Sequence, residues 1–242
     1  LLRGDLLPEC YMAPRALREL RRVLRHRNLV VRQAVRMKNK ISGLLLETGT
    51  PHSQQRLHGR QYFQELLASL EGVPDSVVEL LRLTRCSWEA FHRMEQKLAA
   101  GRCQDPLLAE RLARLMSIPG VGPITALTWA LEVGEPERFA RLGQAVSYCG
   151  LCSAQRESAG RSQRGPISKQ CNQHLQSILI EAAKLAPRWS PRLAELYARE
   201  LQRGHRNRAT LAVARKLVAY LLAVDRRGRA FEDRAPAQPK AA

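Results

Sequence analysis

The chain has 242 residues, enough for one or two domains with cores of their own, and sets 40 Lys plus Arg against 22 Asp plus Glu, a formal charge of +18. That excess favours a polyanionic partner, nucleic acid first and an anionic membrane surface as the rival. No apolar run approaches the roughly 20 residues of a spanning helix. No secretory signal precedes the first helix, so the chain reads as soluble and intracellular.

From Arg15 to Ser42 there is neither Gly nor Pro, and Leu17, Leu20, Leu24, Val31, Ala34, Ile41 and Leu45 follow a near-heptad stripe. Arg21, Arg25, Arg32, Arg36 and Lys38 stand among the cations that cover the remainder, with Glu19 the only acid. The pattern predicts a long helix whose basic face is either solvated surface or a row of phosphate contacts. Residues 47–60 read as a loop and 62–70 as a short helix. A second long helix over 77–100 is expected to bury Val77, Leu80, Leu81, Trp88, Phe91, Met94 and Leu98. The two long helices predict a helical hairpin suited to pairing between chains.

A helix over 107–116 is followed by Ile118-Pro119-Gly120-Val121-Gly122-Pro123 and the apolar run Ile124 to Leu131. A short turn bearing Gly120 and Gly122 between two helices is the pattern of a helix-hairpin-helix, whose backbone N–H groups face a phosphate. The same glycines also suit two helices that pack closely. Phe139 to Gly150 reads as a further helix, the stretch from Glu157 to Ser168 as a basic loop, and 172–185, 193–201 and 209–224 as amphipathic or apolar helices. The tail beyond Asp225 reads as disordered. No strand series stands out, and the predicted fold class is all-α.

Cys149 and Cys152, with Cys171 and His174 about 20 residues on, leave open a Cys3His zinc site, although reduced, buried thiols suit the packed flanks better. No phosphate-binding loop, zinc-protease motif or nucleophile elbow occurs. Acids are scarce around the basic loop, where Glu157 stands alone between Gln144 and Ile180. A serine remains as a nucleophile, and it needs help. In ESAGRSQRGPISKQCNQHLQ, Ser158 and Ser168 lie among Arg161, Arg164 and Lys169, which would hold a phosphate and stabilise charge growing on its oxygens. In most proteins such a loop is plain solvated surface, and sequence alone favours that reading.

Several ordered motifs resemble one transposase family: the LLPECYMAPRALRELRRVLRHRNLVVRQAVRMKNKISGLL stretch, IPGVGPITALTWALEVG, RFARLGQAVSYCGL, the Ser158 segment and NRATLAVARKLVAYLLAV. This is the insertion-sequence family that includes the Piv DNA invertase and the bridge-RNA-guided recombinases. The resemblance covers about residues 1–231. It implies a linker and coiled-coil helical hairpin over 1–110, a helix-hairpin-helix and serine transposase domain over 111–190, its C-terminal helices over 191–231 and a tail over 232–242. It further implies that DNA is cut through a transient serine–DNA bond.

Residue by residue, Ser158 matches the family's serine, with Ser168 as the alternative. Gly160 and Arg161 match the next motif positions, Lys169 belongs to the Gly-x-Ile-Ser-Lys element, and Asn172 follows it. Cys171 stands where the family usually has glycine. The resemblance also implies an acidic RuvC-like domain binding magnesium, a structured noncoding guide RNA, a dimer or tetramer with composite active sites, and a cytoplasmic, nucleoid-associated enzyme. None of the four RuvC-like acids matches a residue here, so the chain is expected to hold no metal and to be inactive alone, as a partial record or a truncated copy.

Overall fold

The computed structural model describes residues 11–100, 108–158 and 160–233. Its helices are α1 (Arg15–Glu47), α2 (Arg60–Ala68), α3 (Asp75–Ala100), α4 (Ala109–Met116), α5 (Pro123–Val133), α6 (Leu142–Tyr148), α7 (Gln173–Leu185), α8 (Pro191–Gln202) and α9 (Arg206–Arg227). Short 3-10 turns follow α5 and α7. The all-α expectation holds, with one exception. The segment read as a loop is an antiparallel hairpin of β1 (Ser153–Ser158) and β2 (Arg161–Ile167).

The chain divides into two compact units, Val23–Arg102 and the remainder, so the first turns of α1 group with the later helices rather than with the expected 1–110 segment. In the Val23–Arg102 unit α1 and α3 run antiparallel. Arg27 Nη2 donates to Glu95 Oε1 at 2.6 Å, and Lys38 Nζ lies 5.2 Å from the Trp88 ring centre. Ile41, Leu44, Leu45, Leu57, Phe63, Leu66 and Leu81 form its core, closed by α2. The helical hairpin read from the sequence is therefore present within one chain.

The other unit is built around α5, buried at every position from Thr125 to Val133, as a helix apolar on all sides must be. α9 packs against α4, α6, α7 and α8 through Val213, Leu217, Leu221 and their neighbours. Each such side chain contributes about 1.5–3 kcal/mol on burial. A buried polar knot ties three helices together. Arg111 of α4 donates through Nε and Nη2 to both oxygens of Asp225 in α9, at 2.8 and 2.7 Å, and through Nη2 to Gly134 O at 2.6 Å. Trp129 Nε1 of α5 donates to the same carboxylate at 2.9 Å.

The start of the chain joins this unit by two contacts. Arg21 of α1 donates to Leu131 O at 2.8 and 2.6 Å, satisfying a carbonyl in the last turn of α5. Tyr11 OH accepts from Glu135 N at 3.2 Å. A Cβ on Gly134, whose φ is +70°, would fall 2.3 Å from that Tyr11 oxygen, which is why glycine stands there.

Candidate functional site

The hairpin is anchored at its foot and open at its tip. At the foot, Ser168 N donates to Cys152 O at 2.9 Å and Asn172 N to Tyr148 O at 3.0 Å. Gln176 Nε2 of α7 bridges Gly150 O at 2.6 Å and Ser168 O at 3.2 Å, while Arg215 Nε of α9 donates to Leu151 O at 2.8 Å. Helices on either side thus hold the strands where they leave the body. At the tip, Ser158 pairs with Arg161 across the two-residue connection Ala159-Gly160, of which Ala159 lies outside the described residues and Gly160 has φ +74°. Positive φ in a two-residue hairpin connection is what glycine supplies without strain.

Ser158 is exposed, and so is Arg161. They are cross-strand neighbours, the arrangement in which side chains share a face about 5 Å apart. The register sets the other candidates apart. Position 164 pairs with Gln155, in the pleat row opposite to Ser158 and Arg161; its side chain, with those of Arg156 and Ser162, lies outside what the structure describes. Ser168 and Lys169 follow the end of β2, at the foot, roughly 20 Å along the strand from Ser158. The single chain therefore does not gather Arg161 and Lys169 around one serine.

Ser168 is half-buried, its hydroxyl accepting from Gln170 N at 3.2 Å, which makes it part of the turn into α7. Asn172 is the N-cap of α7, its Oδ1 accepting from His174 N and Leu175 N at 3.1 and 3.2 Å. Its Nδ2 donates to Glu132 Oε2 at 2.8 Å and to Tyr148 OH at 3.3 Å, so all of this side chain's bonding faces the protein. Arg21 Nε lies 3.8 Å from the same buried Glu132 carboxylate, and its guanidinium is already engaged at Leu131 O.

Farther along α1, Arg25, Arg32 and Arg36 are exposed, whereas Lys38 is half-buried over Trp88. Arg25, Arg32, Arg36 and Lys40 recur at helical spacing on one face, interrupted by exposed Leu29. Among the described residues Arg32 and Arg36 have no carboxylate partner, so their charges face solvent.

α4 and α5 do flank the glycine turn. Gly120 has φ +85°, and a Cβ there would sit 2.5 Å from Ala186 Cβ, so this glycine lets the turn pack against the end of α7; Gly122 is the N-cap of α5 and meets nothing within 4 Å. The surface at the turn is apolar, with Met116, Leu185 and Trp189 exposed and Glu181 the charged group in its cleft.

The Cys3His alternative does not form: among the described residues no group of three or more His, Cys, Asp or Glu side chains could hold a metal ion. Cys149 is fully buried, and burial chiefly, with the neighbouring Cys171 and Cys152 adding to it, pushes its thiol up to about 12. It is a packed, protonated thiol.

Comparison with known proteins places this arrangement. Residues 112–198 match the family described as Transposase IS116/IS110/IS902. Over this segment the chain is similar to transposases of that family. The segment contains the second half of α4, all of α5, the whole hairpin and α7. The chain is also 29% identical to the transposase of insertion sequence element IS1328 from Yersinia enterocolitica, over 86% of this chain and 63% of that protein. It is 29% identical to the transposase of element IS1111A from Coxiella burnetii, over 82% and 56%. A probable family 20 transposase of Pseudomonas aeruginosa is 27% identical, over 74% and 53%. The chain thus spans between 53% and 63% of the length of these three relatives. Among the described residues no helix is long and apolar enough to cross a membrane.

Proposed function

We propose that this chain is the DNA-handling and serine-bearing portion of a transposase that moves an insertion element, with Ser158 as nucleophile. The observation that carries the reading is the exposed Ser158 at the tip of an anchored hairpin, with Arg161 directly across the strands, inside the segment that matches the transposase family. In the step proposed, Ser158 Oγ attacks a DNA phosphodiester. A serine–phosphate bond forms, the bond to one deoxyribose oxygen breaks, that oxygen takes up a proton and the serine gives one up. Arg161 neutralises a non-bridging oxygen as charge builds in the transition state.

The acids of the proposed chemistry are those of the RuvC-like domain that the family resemblance implies. That suits a dimer or tetramer in which the arm of one subunit reaches a partner's acids, with a guide RNA selecting the DNA strands. Leu80 and Met94, expected on the buried side of α3, are instead exposed together with Leu83, and this apolar row supports pairing between chains. The separation of Ser158 from Lys169 along the hairpin favours the same idea, because a complete cradle then needs groups beyond this single chain.

The separation also supports a second reading, a non-catalytic nucleic-acid-binding and dimerisation module. One experiment decides between them. The chain is joined to the N-terminal part of the Yersinia enterocolitica relative and incubated with element-end DNA carrying a bridging phosphorothiolate, whose sulfur leaving group does not reverse the step. A detergent-resistant protein–DNA adduct on the peptide containing Ser158, absent in Ser158→Ala and kept in Ser168→Ala, is expected. An adduct that moves with Ser168→Ala reassigns the nucleophile. Tight DNA binding with no adduct from any variant establishes the second reading.

A further inference from the structure

We propose that the cleft enclosed by α7, α8 and the start of α9 receives one unpaired nucleotide, base inward and phosphate at the rim. This rests on the nucleic-acid reading above and deepens it by naming where a strand is held and in what form. The cleft measures about 650 Å³, within the range that encloses small organic ligands. Its walls include Ile180 of α7 and the half-buried ring of Tyr197 in α8, apolar surfaces suited to the face of a base. Arg188 and Arg206 are exposed at its edge, and among the described residues neither has a carboxylate partner. Beside them stands Asn207, whose amide both donates and accepts and so can meet the pairing edge of a base.

The combination discriminates between forms of nucleic acid. A fully paired duplex keeps its bases stacked inside and offers a protein surface mainly phosphates, for which a concave apolar wall is useless. An unpaired nucleotide has an exposed ring face and pairing edge as well as a phosphate, and each finds its counterpart here. Ile167, the last residue of β2, also lines the cleft, so it opens at the foot of the serine arm. A strand worked on at the hairpin tip can be gripped where the hairpin meets the body. Lys184 adds a further ammonium, part-neutralised by Glu181 at 2.6 Å, which leaves the two arginines as the main charge.

The test compares fluorescence anisotropy of the full chain on a labelled 30-base-pair duplex and on the same duplex with a three-nucleotide single-stranded gap, the exposed nucleotides being DNA in one arm and RNA in the other. The gap is expected to tighten binding by about tenfold, the scale of one base stacked on an aromatic ring. Tyr197→Leu should shrink the gain to about twofold or less, with paired-duplex affinity unchanged, and Tyr197→Phe should keep most of it. Thermal melts check that both variants fold. A gain in either arm supports the cleft and says which strand supplies the nucleotide. Duplex binding with no gain in either arm, or a gain that survives Tyr197→Leu, overturns the cleft while leaving the proposed function standing. Absence of all nucleic-acid binding removes both.

Discussion

The β1–β2 hairpin and α9 both display arginines, yet they are opposite kinds of structure. α9 buries nine of its residues, among them Val213, Leu217 and Leu221, and its Arg215 holds Leu151 O. No described side chain from Ser153 to Ile167 is buried. One segment gains its shape from a core, the other from cross-strand pairing and a fixed foot. The lesson is a division of labour: the helices carry stability, and the arm carries a serine without contributing to it. The sharpest test pairs two substitutions in urea unfolding. Asp225→Ala leaves the Arg111 guanidinium, largely buried, without its bidentate partner and should cost about 3–5 kcal/mol. Arg161→Ala should stay within about 0.5 kcal/mol. Similar losses would break the contrast.

A second pair compares glycines that share a backbone conformation but not a setting. Gly120 at φ +85° would drive a Cβ into Ala186, 2.5 Å away, whereas Gly160 at φ +74° has open space around it. Gly160→Ala should therefore lose only the left-handed penalty, about 1–2 kcal/mol, and that only in the arm. Gly120→Ala adds the steric clash and should exceed about 2 kcal/mol across the whole unit, read as a lower midpoint in denaturant. Equal effects would mean that the turn around Gly120 is not packed as described.

Much of the helical frame was legible because it obeys periodicity. The apolar spacing of α1, α3 and α9 is enough to place a buried face, and Gly and Pro punctuate the ends. The hairpin was not, because SAQRES and RSQRGPI show no alternation and, Ile167 apart, none of the β-branched and aromatic residues that announce a half-buried strand. The cue it did offer was the glycine at Gly160 within a two-residue connection. Asn172 was picked out for its place after the basic motif, and the structure gives it a capping task that its position before an amphipathic run also signalled. Tyr197, Arg188 and Arg206 come from separate elements, so no spacing could have joined them into one cleft.

The cations of α1 show the same limit in one helix. From sequence Arg21, Arg32 and Arg36 are equivalent, but the distinction between them is a carbonyl that only the fold brings near: Leu131 O occupies Arg21. Arg21→Gln should weaken the fold by about 1.5–3 kcal/mol, the scale of a hydrogen bond from a charged group, and leave the salt dependence of DNA binding unchanged. Arg32→Ala with Arg36→Ala should do the reverse. If each meets one phosphate, the slope of log affinity against log salt becomes shallower by about 0.9 for each cation removed. A wild-type slope near zero would dismiss α1 as a phosphate contact.

The smallest expected effect separates the units by pH. His58, in the Val23–Arg102 unit, has its pKa lowered from 6.5 by burial first and then by the charges of Lys38 and Arg85. Its ring centre lies 5.6 Å from that of Trp88, and its buried Nδ1 has no hydrogen-bond partner. Above pH 6.5 the ring is neutral whether the chain is folded or not, and His58 makes stability independent of pH. As pH falls below that value the unfolded chain takes up the proton while the folded one resists, so the folded state loses ground. The loss levels off once the pH has passed below the folded pKa. Thermal melts from pH 7 to pH 5 should therefore drift downward in the wild type and drift less in His58→Gln, which cannot take the proton. A drift that persists undiminished in that variant would show that other groups carry the acid sensitivity, and that the cations around His58 are too well screened by water to matter.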